Sequence, residues 1–440
     1  MADVIHTKAT LDGLYKDVYD GKLDSLVPDF GILVKMIKFN AAKKTGRDFV
    51  KAVKLSNEHG FTYGSGMATL QDIISSDVDD AKVRGSSLTL RSGFSYDSAA
   101  NMASDAVAFE NATKFRFRAM MEAATHRLEA QILYGSSGLG IADSSQDSVT
   151  DVVNTTQVVI PIKPASWAAG IWAGQEGALV ALFTVAANAA SAAIGNDGTT
   201  ANKFEIASID NNAKTITVKT ASNAQALALV AEIEAADYNI FYRGAANDST
   251  GAYSIQEMVG IKSIVSNTGS LFGVDGAAYG LWQGNTYDVS VGGGTNLTLK
   301  KVLQGVNMAV SKGLREDVVL LVSPATFATM ADDEASLRRY GAEKQSGRGT
   351  DNIVFQGTSG KIEVVVHPMV KEGEAMAFPK AKCERIGATD LTFKTPGKEG
   401  EEMFLQSPTY TGYEVRLYSE QAVFLPCPSH CVLFSNISNA

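Results

Sequence analysis

Cys427, His430 and Cys431 stand close together near the C-terminal end and carry the side chains that could ligate a metal ion. A tetrahedral zinc site takes four such ligands, and no second ligand pair lies nearby in the sequence. The alternating pattern around them also turns some of them inward, so no metal site is expected. The five histidines, His6, His59, His126, His367 and His430, are scattered and show no partners in the sequence. Gly135-Ser136-Ser137-Gly138-Leu139-Gly140 is rich in glycine, but it follows a helical pattern. A phosphate-cradling loop must follow a strand and open a helix, so this run reads as a helix-ending turn. Gly292–Gly294 precedes a helix without a following Gly-Lys-Ser/Thr. There is no Gly-x-Ser-x-Gly elbow and no His-Glu-x-x-His run. Asp332-Asp333 is a solvated helix-surface pair. No catalytic residue, cofactor-binding residue or metal ligand is assigned, and the chain is not expected to be an enzyme.

The remaining chemistry is charge and apolar surface. The chain has 440 residues, with 39 Lys+Arg against 48 Asp+Glu and a formal net charge of −9. That balance argues against a general nucleic-acid binder, although a basic patch can sit inside it. At 45% hydrophobic and 20% charged it is an ordinary globular composition, long enough for about three folding units. No apolar run reaches the roughly 20 residues of a membrane span, and three cysteines make no disulfide framework. The start shows no signal-peptide pattern, which fits a cytoplasmic product.

Elements must position these charges and faces. Residues 1–75 read as an extended or loosely helical arm. Inside it, the stretch 35–54 carries Lys35, Lys38, Lys43, Lys44, Arg47, Lys51 and Lys54 against the single acid Asp48. Two readings stand: a solvated amphipathic helix with Val34, Ile37, Phe49, Val50 and Val53 on its apolar side, or an arm lying on acidic neighbours or nucleic acid. In residues 76–104, Leu88, Leu90, Phe94 and Tyr96 alternate with polar residues and share one strand face. With Ala81–Arg84 and the Gly85-Ser86 turn they suggest a hairpin, which alone is marginal in water. Residues 105–134 form the clearest helix. Phe117, Met120, Met121, Ala124, Leu128 and Ile132 make a packing stripe, and Gly135 ends it.

Residues 150–250 change composition to Ala, Asn, Thr and Ser. TQVVIPI, ALVALFTVA, KFEIASID and KTITVKTA read as strands, with a turn at Asp210–Ala213. The run AANAASAAIG is either a short helix or a sheet edge. A helix is expected over 297–313, then a buried strand DVVLLVS, then a helix capped by Ser323-Pro324 and running towards Arg339. GKIEVVVHPMV, AMAFP, YEVRLYS, QAVFLP and HCVLFSNI read as strands.

These sequences in this order resemble the major capsid protein of tailed bacteriophages, the Hong Kong 97-like family. VRGSSLTLRSGFSYDS followed by AFENATKFRFRAMMEAATHRLEAQILYGSSGLGIA is similar to its extended loop and spine helix. KFEIASIDNNAKTITVKTA and ADYNIFYRGAAND resemble the β insertion of one branch. SLFGVD, GLWQGNTYDVS and LTLKKVLQGVNMAVSKGLREDVVLLVSPATFATM resemble the apical domain and the link into it. RLYSEQAVFLPCPSHCVLFSNI resembles the last strands.

The resemblance spans roughly residues 75–440 and implies an α+β fold divided into an N-terminal arm (1–75), an extended loop (76–104), a peripheral domain with the spine helix (105–149), a β-rich insertion (150–250), an apical domain (251–410) and closing strands of the peripheral domain (411–440). It implies a structural subunit that assembles with itself as hexamers and pentamers into an icosahedral shell around double-stranded DNA. Its further partners would be a separate scaffolding protein, a portal protein and a decoration protein. The location implied is the virion, with no membrane. Leu88, Leu90, Phe94 and Tyr96 would then contact a neighbouring subunit, and the basic arm would contact a neighbour or packaged DNA on the inner face. An encapsulin-like protein cage is the alternative. Some relatives form a Lys–Asn cross-link; Lys82 is the only lysine of the loop, and that chemistry is not carried over. Nothing before Ile73 resembles a cleaved coiled-coil prodomain, so an uncleaved chain is expected.

Overall fold

The structure is a computed structural model that describes residues 31–40, 48–95 (except 65 and 68), 112–146, 149–150, 155–249, 252–331 (except 292), 353–394, 404–406 and 412–439. The chain lays down α1 (Ile32–Met36), β1 (Phe49–Lys54), β2 (Val78–Val83), β3 (Ser86–Ser95) and the long α2 (Ala112–Tyr134). Next come β4 (Gly140–Ala142), β5 (Val149–Thr150), β6 (Gln157–Pro161), β7 (Leu179–Thr184), β8 (Phe204–Asp210), β9 (Thr215–Lys219), α3 (Asn223–Ala235) and β10 (Tyr238–Tyr242). Two short hairpins follow, β11 (Ala246–Ser249) with β12 (Ala252–Ile255) and β13 (Ser270–Leu271) with β14 (Val274–Asp275). The rest is β15 (Asn285–Asp288), α4 (Leu299–Ser311), β16 (Val318–Val322), α5 (Pro324–Ala331), β17 (Ile353–Gln356), β18 (Lys361–Val366), β19 (Ala375–Phe378), β20 (Glu384–Thr392), β21 (Phe404–Gln406), β22 (Gly412–Phe424) and β23 (Val432–Ser435).

The spine helix α2 buries Met120, Ala124, Leu128 and Ile132 on the expected stripe, while Met121 stays exposed. It ends at a glycine for a steric reason. A Cβ on Gly135 would stand 2.2 Å from the Met258 carbonyl oxygen, and the Gly260 amide donates to the Gly135 carbonyl at 2.9 Å, so two glycine backbones pass in direct contact. The glycine-rich run after α2 is thus a packed turn.

The four strands expected within 150–250 form, and with β4, β5 and β10 they build an antiparallel sheet in the order β4-β10-β7-β8-β9-β6-β5. Asp210 accepts from the amides of Asn212 and Ala213, which closes the β8–β9 turn as its sequence asks. The alanine-rich run forms isolated bridges, Phe183 with Ala190 and Ile194 with Ala201, rather than a helix. The longer helix of this region is α3, with Ser222 accepting from the Gln225 amide as its cap and Ala226, Leu229 and Ile233 buried.

A second sheet runs β15-β23-β19-β16-β18-β17. Its β16, buried at all five positions, lies parallel to β18 and antiparallel to β19, as expected of a central strand covered on both faces. Residues 411–440 were expected to close the peripheral domain together, and here the structure corrects the sequence. β22 lies beside β3, β20 and β21, but β23 joins the second sheet between β15 and β19. The break at Pro426-Cys427-Pro428 and the 3-10 turn Pro428–His430 redirect the chain, and Val432 and Phe434 pack into the core beneath α4.

The expected hairpin over 80–97 is also corrected. β2 pairs along its whole length with β1, from Phe49 opposite Val83 to Lys54 opposite Val78. β3 instead pairs antiparallel with β22 over ten residues, from Ser86 opposite Gln421 to Ser95 opposite Gly412. A two-residue link cannot outweigh what these larger partners offer. The β22 ladder satisfies the β3 backbone, and the sheet places Leu90 against Met120, Ala124, Val415 and Leu417.

Candidate assembly interface

Of the four apolar residues assigned to inter-subunit contact, the structure describes the side chains of Leu88 and Leu90, and neither stands clear of its own chain. Leu88 and Leu90 are half-buried on β3, alternating with exposed Ser87, Thr89 and Arg91. Phe94 opposes Tyr413 in the ladder. The Phe94 side chain and the whole of Tyr96 lie outside the described residues. Arg91 reaches Glu414 at 2.9 Å, and Arg416, with Arg91, holds that carboxyl below its usual range. The alternation in β3 is therefore that of a strand with one face on its own helix.

The element that does project is the β1–β2 hairpin. Its base is held firmly. Ala81 and Val83 are buried, Phe49 and Phe272 both meet the Phe424 ring edge-on, and the Lys82 amide donates to the Phe272 carbonyl at 2.7 Å. Beyond Leu55 the two arms continue as a looser ladder. His59 and Ile74 exchange amide hydrogen bonds of 2.9 Å, and Thr62 Oγ1 accepts from the Gln71 amide. Along this outer part the apolar side chains face solvent: Phe61 is 70% exposed, Tyr63 92%, Leu70 82% and Ile73 96%, with Met67, Ile74 and Val78 also exposed. This run of large exposed apolar side chains on one element makes it the candidate contact surface. Sequence reasoning missed these residues because they sit among glycine and polar residues without strand or helix period. The signal was present in the flanks, where the basic strand FVKAVK faces the acidic strand VDDAKV.

The basic arm residues divide. Lys35 lies exposed on α1 and Lys38 just beyond it, while Lys51 and Lys54 lie exposed on β1 beside Asp79 and Asp80 of β2. Lys51 Nζ also stands 5.6 Å from the Phe424 ring centre. Lys43, Lys44 and Arg47 lie outside the described residues. The single amphipathic helix is thus overturned: a five-residue helix and a strand carry the described part of this stretch.

Several ionisable groups are buried inside the subunit. Lys371 is enclosed, its Nζ donating to the Gly138 carbonyl at 2.9 Å and lying 4.3 Å from the Tyr134 ring centre. Burial, aided by nearby Lys262, lowers its pKa to about 7. Burial raises Glu257 to about 7 although the Ser136 amide donates to it. Burial likewise pushes the Cys383 thiol up to about 12 and the Cys431 thiol well up. Among the described residues, no group of three or more His, Cys, Asp or Glu side chains is placed so that it could hold a metal ion. Among them, too, no helix is long and apolar enough to cross a membrane.

The chain is similar to the capsid asymmetric unit of cyanophage A-1(L), with a TM-score of 0.51 and 11% identity over 98% of this chain and 99% of that one. It is similar to the capsid of the native GTA particle, with a TM-score of 0.52 and 6% identity over 99% of this chain and 100% of that one. No family model and no curated protein matches the sequence. The likeness runs end to end in both directions and shows the fold: this chain has the Hong Kong 97-like capsid fold.

Proposed function

We propose that this protein is the major capsid subunit of a tailed bacteriophage. It assembles with itself as hexamers and pentamers into an icosahedral shell that encloses double-stranded DNA, and it resides in the virion. The observation that carries this reading is the β1–β2 hairpin: on a capsid-type fold, a firmly anchored element presents apolar residues that its own chain leaves uncovered. Each such side chain contributes about 1.5–3 kcal/mol when covered, so a neighbour that accepts several of them gains a substantial contact. Contacts of this kind act jointly around a closed shell. The inter-subunit role first given to β3 passes to Phe61, Tyr63, Leu70 and Ile73, while the exposed lysines of the arm face a neighbour or the packaged DNA. The insertion sheet occupies the outer side, where it clashes with no neighbour. A scaffolding protein, a portal and a decoration protein complete the assembly. The role is structural and non-enzymatic.

Electron microscopy of the purified protein tests this. Closed shells of uniform diameter are expected from the wild type, and DNA inside particles recovered from infected cells. A protein that stays monomeric under all assembly conditions refutes the reading, and shells filled with a protein cargo instead of DNA indicate a cellular cage.

A further inference from the structure

Residues 31–40 hold their place through two buried charged side chains from distant parts of the chain. At the start of α1, the amides of Leu33 and Val34 have no partner within the helix. Both donate to the Glu129 carboxylate of α2, at 2.5 Å to Oε1 and 2.9 Å to Oε2. At the far end, Arg385 of β20 donates from Nε to the Ile37 carbonyl at 2.7 Å and from Nη2 to the Val34 carbonyl at 3.2 Å. Its backbone continues the clamp, because the Asn40 amide donates to the Arg385 carbonyl at 2.8 Å and Phe39 forms a parallel bridge with Arg385. Glu129 is fully buried and Arg385 is 4% exposed.

Glu129 has a third partner. His367, also fully buried and just past β18, places Nε2 2.8 Å from Glu129 Oε1. The Met369 amide donates to His367 Nδ1 at 3.1 Å, so Nδ1 is the acceptor nitrogen and the ring proton lies on Nε2, directed at the carboxylate. Glu129 therefore gathers three N–H donors, two from the arm and one from the loop that leaves the second sheet.

We propose that residues 31–40 are a strap keyed by opposite charges, and that Glu129 couples the strap to the His367–Met369 loop so that the two are held or released together. A carboxylate fits the donor end and a guanidinium fits the acceptor end; exchanging either for a neutral group breaks the match. Glu129 and Arg385 are positioning residues in this device. The inference concerns one chain and stands independently of the assembly reading.

The test is amide hydrogen exchange on the full-length, unassembled chain. Glu129→Gln keeps the size but turns an NH2 towards a donor. Exchange at Leu33 and Val34 is expected to accelerate about tenfold or more, together with exchange at Met369, while Thr215–Lys219 in the insertion sheet stays unchanged. Arg385→Lys keeps the charge but cannot reach both carbonyls from one fork, so it is expected to speed exchange at Ile37 and Asn40. This second variant decides the matter if the first does not fold. Unchanged exchange at Leu33 and Val34 in Glu129→Gln, or at Ile37 and Asn40 in Arg385→Lys, overturns the keyed strap: apolar docking of Leu33 and Ile37 would then suffice. Acceleration at Leu33 and Val34 without Met369 overturns the coupling.

Discussion

Lys371 offers a sharp test of the interior, because a buried amine without a carboxylate in contact makes stability depend on pH in a calculable way. Its ordinary value is 10.5 and burial brings it to about 7. Between these values the unfolded chain binds the proton and the folded chain does not. Stability must therefore rise with pH across that window, with the full penalty below pH 7 and none above 10.5. The shift corresponds to about 5 kcal/mol, at about 1.4 kcal/mol per pH unit. The assay is equilibrium urea unfolding of the unassembled subunit at pH 7, 8, 9 and 10, for the wild type and for Lys371→Met. The variant loses the bond to the Gly138 carbonyl, a pH-independent difference that leaves the slope untouched. The wild type should gain on the variant at every step up in pH. A pH-independent difference between the two would show that the amine stays charged in the fold, and the reasoning from burial would fail.

Glu257 should behave in the opposite sense. Its folded value, about 7, lies above the ordinary 4.5, so its contribution is complete below pH 4.5 and lost as pH rises towards 7. Comparing the wild type with Glu257→Gln, the wild type should lose up to about 3 kcal/mol across that window by urea unfolding, and no trend would contradict it. Replacing Phe61, Leu70 and Ile73 together by Ser should leave the subunit's melting temperature nearly unchanged and abolish or weaken shells seen by electron microscopy; normal shell yield would remove the tip from the interface. Gly135→Ala should destabilise the subunit by several kcal/mol, since its Cβ meets backbone that cannot yield cheaply; a melting temperature equal to wild type would show that the backbone adjusts.

The elements legible in the sequence were those whose signal is local. The stripe on α2, the alternation of β3 from Ser87 to Arg91 and the Asp210 turn follow from spacing alone, and each formed. What spacing does not encode is pairing. β2 and β3 adjoin in sequence with Gly85 between them, yet their partners lie at 49–54 and 412–424, and nothing in residues 78–95 names those segments. The same limit displaced β23, because the Pro-Cys-Pro break announces a change of direction but not its destination. The buried groups were hidden differently. Glu129 falls near the apolar stripe of α2 and reads as a surface carboxylate, since its partners Leu33, Val34 and His367 come from 96, 95 and 238 residues away.

The displaced interface has a physical reason that bears on the whole assignment. One apolar cluster runs through the subunit, joining Leu33 of the arm, Val83 at the hairpin base, Ile160 of the insertion sheet, Leu321 of the second sheet and Phe424 of β22. That core closes without any described residue between 56 and 77. A segment that contributes nothing to its own core would be expected to carry polar residues, because exposed apolar surface gains nothing in a free chain and invites aggregation. Phe61, Tyr63, Met67, Leu70 and Ile73 are instead concentrated there, on two arms held in register by the His59–Ile74 pair. Within β3, by contrast, Leu90 is accounted for by α2 and β22. Apolar residues with regular period are the mark of a face covered at home. Apolar residues without period, on an anchored element that its own core does not need, fit the proposed reading of a face covered by another copy, and it is the hairpin from Phe49 to Val83 that meets this description.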